Sequence, residues 1–306
     1  MTDPKGPLMT RRRFMTYSGL LAGAVATGAW GYTEPRYVEQ TYHQIKTERL
    51  DDVVRIIHLS DLHLDDDRSR DYVPKMVSNC NADLVIMTGD YLNHTRENPV
   101  PVERLEEYVN NMSARKGIYA VFGNWDMGLE KQLFADTDVI PLRDESVQFS
   151  IGGSVLNLTG ISYLNERHSP RTAAHAPIAD YDIVMTHTPD YINELSEQGD
   201  TDLLLCGHTH GGQIRIPFLR LLQDGKGDFP YAGSPMVGLI RKNAVRYQAG
   251  MYDVGGMQAY VNRGIGMCGM DGVPKMRILC RPEVALFDIG PAEKLPKITE
   301  LPWYQS

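Results

Sequence analysis

Short apolar runs recur along the chain from about residue 51, and each one leads into a cluster of polar residues. Five of these runs are Val53–Ile57, Leu84–Met87, Ile118–Val121, Ile183–Met185 and Leu203–Cys206. Their apolar character is largely continuous rather than alternating, which is typical of strands that are buried on both faces. The pattern therefore predicts a sheet with layers packed on both sides.

Two segments between the first three runs carry apolar residues at the spacing of one helix face. These residues stand at positions 72, 73, 76, 77 and 80 in the first segment and at positions 105, 108, 109 and 112 in the second. The alternation of strands and helices predicts an α/β domain. Polar residues gather just beyond the strand ends, where α/β sheets place their binding and catalytic sites.

The amino terminus differs in composition from the rest of the chain. Arg11, Arg12 and Arg13 precede a weakly apolar stretch, rich in Gly and Ala, that runs from Tyr17 to Tyr32. This order resembles a twin-arginine export signal, so we expect the twin-arginine machinery and the membrane as partners and an exported or membrane-associated location. The alternative is a soluble amphipathic helix with a basic end. The stretch has 16 residues, fewer than the about 20 that span a bilayer, so cleaved and anchored forms both stay open.

These changes along the chain predict four parts. Residues 1–33 form the signal or membrane anchor, and residues 34–50 form a linker and a first strand. Residues 51–290 form one domain, since no internal repeat or low-complexity block divides them. Residues 291–306 contain Pro291, Pro296 and Pro302 and are predicted to form a carboxy-terminal tail.

Composition and charge limit the kinds of ligand that the chain is expected to bind. The chain has 306 residues, a formal net charge of −8 at pH 7 and a sequence pI near 5.6. Nucleic-acid affinity normally comes from clustered Lys and Arg, so this balance excludes a general phosphate-backbone binder and predicts no nucleic-acid partner. Cys80, Cys206, Cys268 and Cys280 are scattered without a CxxC pair. We interpret them as buried thiols rather than as a disulfide or zinc framework.

Five strand ends present residues that are able to ligate a metal. They are Asp61 and His63, then Asp90, Asn124 and His187, and finally His208 and His210. Residues two apart in an extended segment point the same way, so each of the two pairs is able to converge on one point. A single histidine at a strand end is more commonly a hydrogen-bonded core residue. Five such clusters together, with mixed nitrogen and oxygen ligands, predict a metal centre.

The same motifs resemble those of the calcineurin-like metallophosphoesterase superfamily. They are Asp61-x-His63, Gly89-Asp90, Gly123-Asn124, His187 and Gly207-His208-Thr209-His210, and the match covers most of residues 51–290, which would then be the catalytic domain. Further segments resemble a bacterial membrane-associated branch of this superfamily, which includes relatives that hydrolyse UDP-2,3-diacylglucosamine. These segments are residues 58–64, 186–190, 207–213, 262–266 and 281–283. The resemblance implies an α/β fold, a four-layer αββα sandwich of two mixed β-sheets flanked by helices.

Carried over residue by residue, the resemblance implies two divalent metal ions. One would bind Asp61, His63 and His210, the second would bind Asn124, His187 and His208, and Asp90 would bridge them. Asp90, Asn124 and His208 are the residues it implicates in catalysis. The ligand set suits Mn, Fe or Zn without selecting one. Two cations, two carboxylates and one hydroxide leave about +1 at the site, so it attracts phosphate although the chain is acidic.

The implied activity is hydrolysis of a phosphoester, phosphodiester or pyrophosphate bond by a metal-bound hydroxide. The membrane-associated start extends the expected substrates to lipid-linked phosphates. One alternative is a UDP-2,3-diacylglucosamine pyrophosphatase of lipid A metabolism on the cytoplasmic face, a substrate that an exported domain could not reach. The other is a non-catalytic, metal-bound interaction scaffold, which would be expected to lack ligands, yet all seven expected positions are occupied.

The motif Gly123-Asn124 is followed by a departure from the family pattern. The family usually has a histidine at the next position, where it contacts the scissile phosphate or protonates the leaving group, and here the residue is Trp125. An indole N–H donates one hydrogen bond but does not transfer a proton near neutral pH. Trp125, Asp126 and His94 are the candidate substrate contacts, and Asp126, His94 or water would have to supply the proton.

Overall fold

The computed structural model describes residues 30–31, 33–93, 100–163, 179–213, 215, 246–267 and 275–297. The amino-terminal segment 1–29, His94, Cys268 and the end of the tail at 298–306 lie outside these residues, so the predictions made for them stay predictions. Within the described ranges, no helix is both long enough and apolar enough to cross a membrane.

Six strands form the first sheet. They are β1 (Glu39–Lys46), β2 (Val54–Leu59), β3 (Leu84–Thr88), β4 (Ile118–Val121), β5 (Val139–Pro141) and β12 (Glu283–Gly290), and their order across the sheet is β1-β12-β2-β3-β4-β5. β2 to β5 are parallel to one another, whereas β12 is antiparallel to β2 and parallel to β1. The strand predicted within residues 34–50 is thus β1, which lies at the edge of this sheet.

Six further strands form the second sheet. They are β6 (Glu145–Ile151), β7 (Ser154–Gly160), β8 (Tyr181–Met185), β9 (Leu203–Cys206), β10 (Gly250–Val254) and β11 (Met257–Val261), in the order β10-β11-β9-β8-β7-β6. The four inner strands are parallel, and the outer strands β6 and β10 are antiparallel to their neighbours. Both sheets are therefore mixed, as predicted, and the five apolar runs lie within strands except for Val53, which directly precedes β2.

Three short α-helices lie wholly within the described residues and flank the sheets. They are α1 (Val73–Asn79), α2 (Glu103–Val109) and α3 (Ile192–Gln198), and single 3₁₀ turns occur at Glu34–Arg36, Pro189–Tyr191 and His210–Gly212. The first two helices lie in the segments where helical spacing predicts them. Gly199 ends α3 in the left-handed conformation, with φ of 78°, which glycine adopts without a steric penalty.

The period-two alternation of side chains gives each sheet two apolar faces. In β2, Ile56 packs between the two sheets, whereas Ile57 packs under α1 and α2. In β9, Leu205 packs between the sheets, whereas Leu204 packs against Ile192 of α3. Burial on both faces therefore builds the order helix, sheet, sheet, helix, and the predicted four-layer sandwich is confirmed. Three of the cysteines, at positions 80, 206 and 280, are buried thiols, as predicted.

The topology brings the predicted ligands to one region. β2, β3 and β4 are parallel neighbours in the first sheet, and β8 and β9 are parallel neighbours in the second. Parallel neighbours end at the same edge of a sheet, so the loops that follow these five strands lie close together. All seven predicted ligand residues belong to those loops.

Candidate metal centre

Two compact groups of acidic and histidine side chains occupy this region. The first contains Asp61, His63 and His210, and the second contains Asp90, His187 and His208. Within each group, one potential ligand atom from every residue lies within 4.8 Å of the others, and all six residues are buried. The loops thus bring together residues that are up to about 150 positions apart in the chain.

Asp90 lies between the two groups. Its Oδ2 atom is 3.5 Å from Nε2 of His63 in the first group and 3.3 Å from Nε2 of His187 in the second. Its Oδ1 atom accepts a hydrogen bond of 2.8 Å from the backbone N–H of Trp125. One carboxylate oxygen is therefore held by the protein while the other faces both groups, which is the geometry that a bridging ligand requires.

Asn124 belongs with the second group. Its Oδ1 atom is 3.0 Å from Nε2 of His187, and Nδ1 of His208 is also 3.0 Å from that nitrogen. Nδ1 of His187 donates a hydrogen bond of 2.7 Å to the carbonyl oxygen of Thr88. This bond fixes the ring so that Nε2 faces the Asn124 oxygen and the Asp90 carboxylate, the usual arrangement of a histidine that ligates a metal.

Buried polar atoms without partners show that the site fits cations. Among the described residues, Oδ1 of Asp61, Nε2 of His63, Oδ2 of Asp90 and Nε2 of His210 are buried and lack a hydrogen-bond partner. Oδ2 of Asp61 is engaged instead by the Ser60 hydroxyl at 2.5 Å and by the backbone N–H of His208 at 2.9 Å. Both carboxylates therefore point one oxygen into the cluster, where an unpaired oxygen is costly unless a cation binds it.

The buried groups shift one another's protonation. Burial lowers the pKa of His187, but the charges of Asp90 and Asp61 outweigh burial and raise this pKa to about 10. Burial raises the pKa of Asp61 to about 6 and lowers the pKa of His208 to about 3. A proton on His187 thus balances the carboxylates in the metal-free protein. A divalent cation supplies the same balancing charge and requires Nε2 to lose that proton.

The backbone at the ligands differs from the extended geometry that the sequence suggests. Asp61, His63, Asp90, His208 and His210 all have positive φ, between 38° and 69°, a region that non-glycine residues adopt rarely and mainly at functional sites. Sharp turns directly after the strands, rather than continued strands, therefore aim these side chains.

One consequence of these turns corrects a prediction. Asp61 and His63 do converge within one group, but His208 and His210 belong to different groups. The reason is that His210 begins the 3₁₀ turn His210–Gly212, so the chain between the two histidines is not extended. The assignment of these histidines to separate metals, which the family resemblance implies, agrees with the two groups.

Two glycines of the motifs are required by close approach. A Cβ atom on Gly123 would overlap Oδ1 of Asp90, and a Cβ atom on Gly207 would overlap the Ser60 hydroxyl and Oδ2 of Asp61. The Gly-Asn and Gly-His dipeptides therefore leave room for the two carboxylates, and an alanine at either position would displace a predicted ligand.

Asp126 does not face the site as a candidate substrate contact should. Its Oδ2 atom accepts backbone N–H bonds from Asp90 at 2.8 Å and Gly123 at 2.7 Å, and its Oδ1 atom accepts one from Tyr91 at 2.9 Å. The side chain is buried behind the ligand loops. Its role is to tie the loop after β3 to the loop after β4, so the expectation that it contacts substrate or donates a proton is wrong.

Trp125 does lie beside the site. Its indole is half-buried and meets the His63 ring edge-on, with 5.3 Å between ring centroids. Asn124, Trp125 and Asp126 are consecutive, yet they point to the second group, the first group and the protein interior. The position where the family resemblance implies a histidine is therefore filled by an indole ring at the margin of the first group.

Arg277 is a site residue that the sequence analysis missed. Its guanidinium is fully buried, and Nη2 lies 3.4 Å from Nδ1 of His210. The same nitrogen donates to the carbonyl oxygens of Gly266 at 2.5 Å and Arg263 at 2.9 Å. Arg277 thus positions the His210 ring and the loop after β11. A charged residue between the apolar residues Met276 and Ile278 is the only signal that could have indicated it.

A family model confirms the resemblance. Residues 54–212 match the calcineurin-like phosphoesterase family. The chain belongs to this family. The matched residues include all seven predicted ligands, from Asp61 to His210, and the two residue groups agree with the dinuclear metal centre of the family. This phosphoesterase is therefore a metal-dependent hydrolase of phosphoester bonds.

Several curated relatives resemble this phosphoesterase over most of its length. The metallophosphoesterase YkoQ of Bacillus subtilis is 29% identical over 248 residues, which cover 77% of this chain and 83% of YkoQ. The phosphodiesterase YaeI of Escherichia coli is 27% identical and covers 92% of this chain and 100% of YaeI. The UDP-2,3-diacylglucosamine pyrophosphatase LpxG of Chlamydia trachomatis is 23% identical, with 87% of this chain and 94% of LpxG covered.

Proposed function

We propose that this phosphoesterase hydrolyses phosphodiester or pyrophosphate bonds in a substrate presented at a membrane surface, and that it favours leaving groups that depart without a protein acid. The observation that carries the proposal is Trp125, whose ring lies 5.3 Å from that of His63 at the position where the family has its proton donor. The similarity to YaeI, a phosphodiesterase, and to LpxG, a pyrophosphatase, supports this choice of bonds.

The residues of the centre explain how such a substrate would be bound. Divalent cations held by the two groups supply Lewis acidity toward phosphate oxygens and toward water. Asp90 faces both groups, so it keeps the two binding positions at a fixed separation. Asp61 and Asp90 are the only carboxylates among the seven predicted ligands. Two divalent cations therefore leave the centre positive, which attracts a phosphate to an otherwise acidic protein.

Neither Asp126 nor Trp125 then helps the leaving group to depart, and His94, the third candidate acid, lies outside the described residues. Both oxygens of Asp126 are occupied by backbone N–H groups, and the indole of Trp125 does not transfer a proton near neutral pH. Phenolates and phosphate anions are stable when they leave, whereas a simple alkoxide is not. General acid catalysis contributes about 10² to 10⁴-fold where it operates, so alkyl phosphates should be hydrolysed more slowly by a factor of this order.

Hydrolysis of matched soluble esters tests this preference. The purified full-length protein would be loaded with Mn²⁺, its metal content measured, and its rates compared on bis(p-nitrophenyl) phosphate, p-nitrophenyl phosphate and glycerol 3-phosphate. We expect turnover of the aryl esters, weak turnover of the alkyl ester, and no turnover by Asp90→Asn. Equal rates on aryl and alkyl esters would refute the leaving-group argument, and a metal-loaded protein that cleaves none of these esters would refute the phosphodiesterase part of the proposal.

The amino-terminal sequence supports the membrane part of the proposal. Residues 14–33 contain no charged residue and follow the arginine run, which is typical of a segment that enters the export pathway or the bilayer. The alternative is a UDP-2,3-diacylglucosamine pyrophosphatase on the cytoplasmic face, and the similarity to LpxG favours it. Fractionation of a carboxy-terminally tagged protein, followed by treatment with external protease, separates these two functions. A membrane-bound domain that is protected from the protease would favour the cytoplasmic substrate. A domain that the protease cleaves would exclude that substrate.

A further inference from the structure

Exposed apolar side chains are concentrated on one surface of the molecule. Of the six large apolar residues that are exposed in the described part of the chain, four are Trp30, Tyr37, Tyr72 and Leu279, with exposed fractions of 50%, 65%, 43% and 50%. We call these four residues the aromatic face. The other two, Met127 and Ile140, belong to other segments, so the concentration is specific to this surface.

Hydrogen bonds join the three segments that carry the aromatic face. The hydroxyl of Tyr72 accepts a bond of 3.0 Å from the backbone N–H of Val38 and donates one of 3.2 Å to the carbonyl oxygen of Arg36. The backbone N–H of Leu279 donates to Oε2 of Glu34 at 2.7 Å. Residues 30–38, the start of α1 and the segment 277–279 therefore pack side by side.

The described residues at the end of the uncharged segment are bonded to the domain at this face. The carbonyl oxygen of Gly31 accepts a bond of 3.0 Å from the backbone N–H of Arg277, and the bond between Glu34 and Leu279 follows three residues later. The uncharged sequence 14–33 ends at the same point. Gly31 and Glu34, at the end of the uncharged sequence and just after it, are therefore both bonded to the domain at this face.

We propose that the aromatic face rests on the lipid bilayer and fixes the orientation of the domain on the membrane. Trp and Tyr favour the head-group region, since one end of each side chain is apolar and the other forms hydrogen bonds. Arg36 and Lys75 are exposed in these segments and Arg281 is exposed two residues beyond the third, where basic residues attract anionic head groups. This inference rests on the membrane attachment in the proposed function.

The orientation brings the metal centre close to the membrane. Arg277 donates its backbone N–H to Gly31 at the junction, and Nη2 at the end of its side chain lies 3.4 Å from Nδ1 of His210. The first ligand group is therefore about one arginine side chain away from the point where the uncharged segment meets the domain. A phosphate in a lipid head group is the class of substrate that this short distance suits.

Tryptophan fluorescence in vesicles tests the inference with the full-length protein. Tyr37→Trp and Tyr72→Trp report from the aromatic face, and Ile140→Trp is the matched control because Ile140 is 45% exposed on β5. Each variant would be reconstituted into phosphatidylcholine and phosphatidylglycerol vesicles with brominated acyl chains, and its emission compared with that of the parent protein. We expect the added emission at positions 37 and 72 to be blue-shifted and mostly quenched, and that at position 140 to be unaffected.

Two results would overturn the inference. One is equal quenching at all three positions, and the other is unquenched emission at positions 37 and 72 while the protein floats with the vesicles. Hydrolysis of soluble bis(p-nitrophenyl) phosphate separates this inference from the proposed function, since Tyr37→Ser and Leu279→Ser should leave that rate unchanged. Normal hydrolysis without quenching refutes only the orientation, and quenching without hydrolysis refutes only the activity.

Discussion

Replacement of Asp126 by asparagine tests whether this side chain holds the ligand loops together. The carboxylate accepts backbone N–H bonds from Asp90, Tyr91 and Gly123, all between 2.7 and 2.9 Å. An amide has one acceptor oxygen. If that oxygen takes the Oδ2 position, it keeps the bonds from the N–H groups of Asp90 and Gly123. The NH₂ group then faces the N–H of Tyr91, and two donors cannot form a hydrogen bond with each other.

The magnitude follows from these contacts. A hydrogen bond to a charged group contributes about 1.5–3 kcal/mol, and a buried donor left unpaired costs about 1–3 kcal/mol. We therefore expect Asp126→Asn to reduce the free energy of unfolding by about 2–4 kcal/mol. Burial and the charge of Asp90 raise the pKa of Asp126 to about 7, and the three N–H bonds oppose them. The free energy of unfolding should be measured at pH 8, where the wild-type Asp126 carboxylate is ionised.

Urea unfolding of the metal-free proteins gives the stability difference, and titration with Mn²⁺ gives the metal affinity. Displacement of the Asp90 loop should weaken the metal affinity about 10 to 100-fold, as loss of supporting hydrogen bonds does in other metal sites. Asp136→Asn is the matched control, because Asp136 is exposed. If the Asp126 and Asp136 variants unfolded at the same urea concentration and bound metal equally, the role of Asp126 would be refuted.

Four further substitutions test the remaining roles. Asp90→Asn should abolish turnover and weaken both metals, and two tightly bound metals by elemental analysis would contradict a bridging role. Trp125→His should raise the rate on glycerol 3-phosphate by up to about 100-fold and leave aryl esters nearly unchanged. Burial lowers the pKa of His58 to about 3, whereas a histidine in the unfolded chain has a pKa of about 6.5. In acid the unfolded chain therefore binds a proton that the folded chain does not. The free energy of unfolding should fall below pH 6.5 by at most about 1.4 kcal/mol per pH unit. His58→Gln should remove this part of the slope in urea titrations of metal-free protein between pH 6.5 and 4.5. Arg277→Lys should lose the metal held by His210, and elemental analysis should find one metal per chain.

Much of the fold could be predicted because each inner strand is identified by an apolar run within its own few residues. Leu84–Thr88 and Leu203–Cys206 are buried at every position, so their continuous apolar sequence identifies them as inner strands. Parallel packing of such strands then brings the polar residues after them to one edge, which is why the ligand set was accessible from the sequence. Short apolar runs, and the order in which they follow one another, are local properties of the chain.

The direction in which each ligand side chain points is not a local property of the sequence. His208 and His210 fit the two-residue spacing of one strand, but φ of 69° and 50° turns the chain and separates them into two groups. Arg277 supports His210 from 67 positions away, and no spacing rule connects them. Turn geometry and contacts between distant segments decide these features, and neither leaves a periodic signal.

The triplet of Asn124, Trp125 and Asp126 shows why substrate preference depends on that geometry. In a strand, the outer two residues would share one direction and the middle one would oppose them. Here the turn directs Asn124 to His187, Trp125 to the edge of His63, and Asp126 to the backbone N–H groups behind the site. The only acidic side chain of the three is thereby occupied, and the residue left beside the first ligand group is an indole. In the proposed function, the need of a leaving group for a proton is therefore the property on which this site discriminates between phosphate esters.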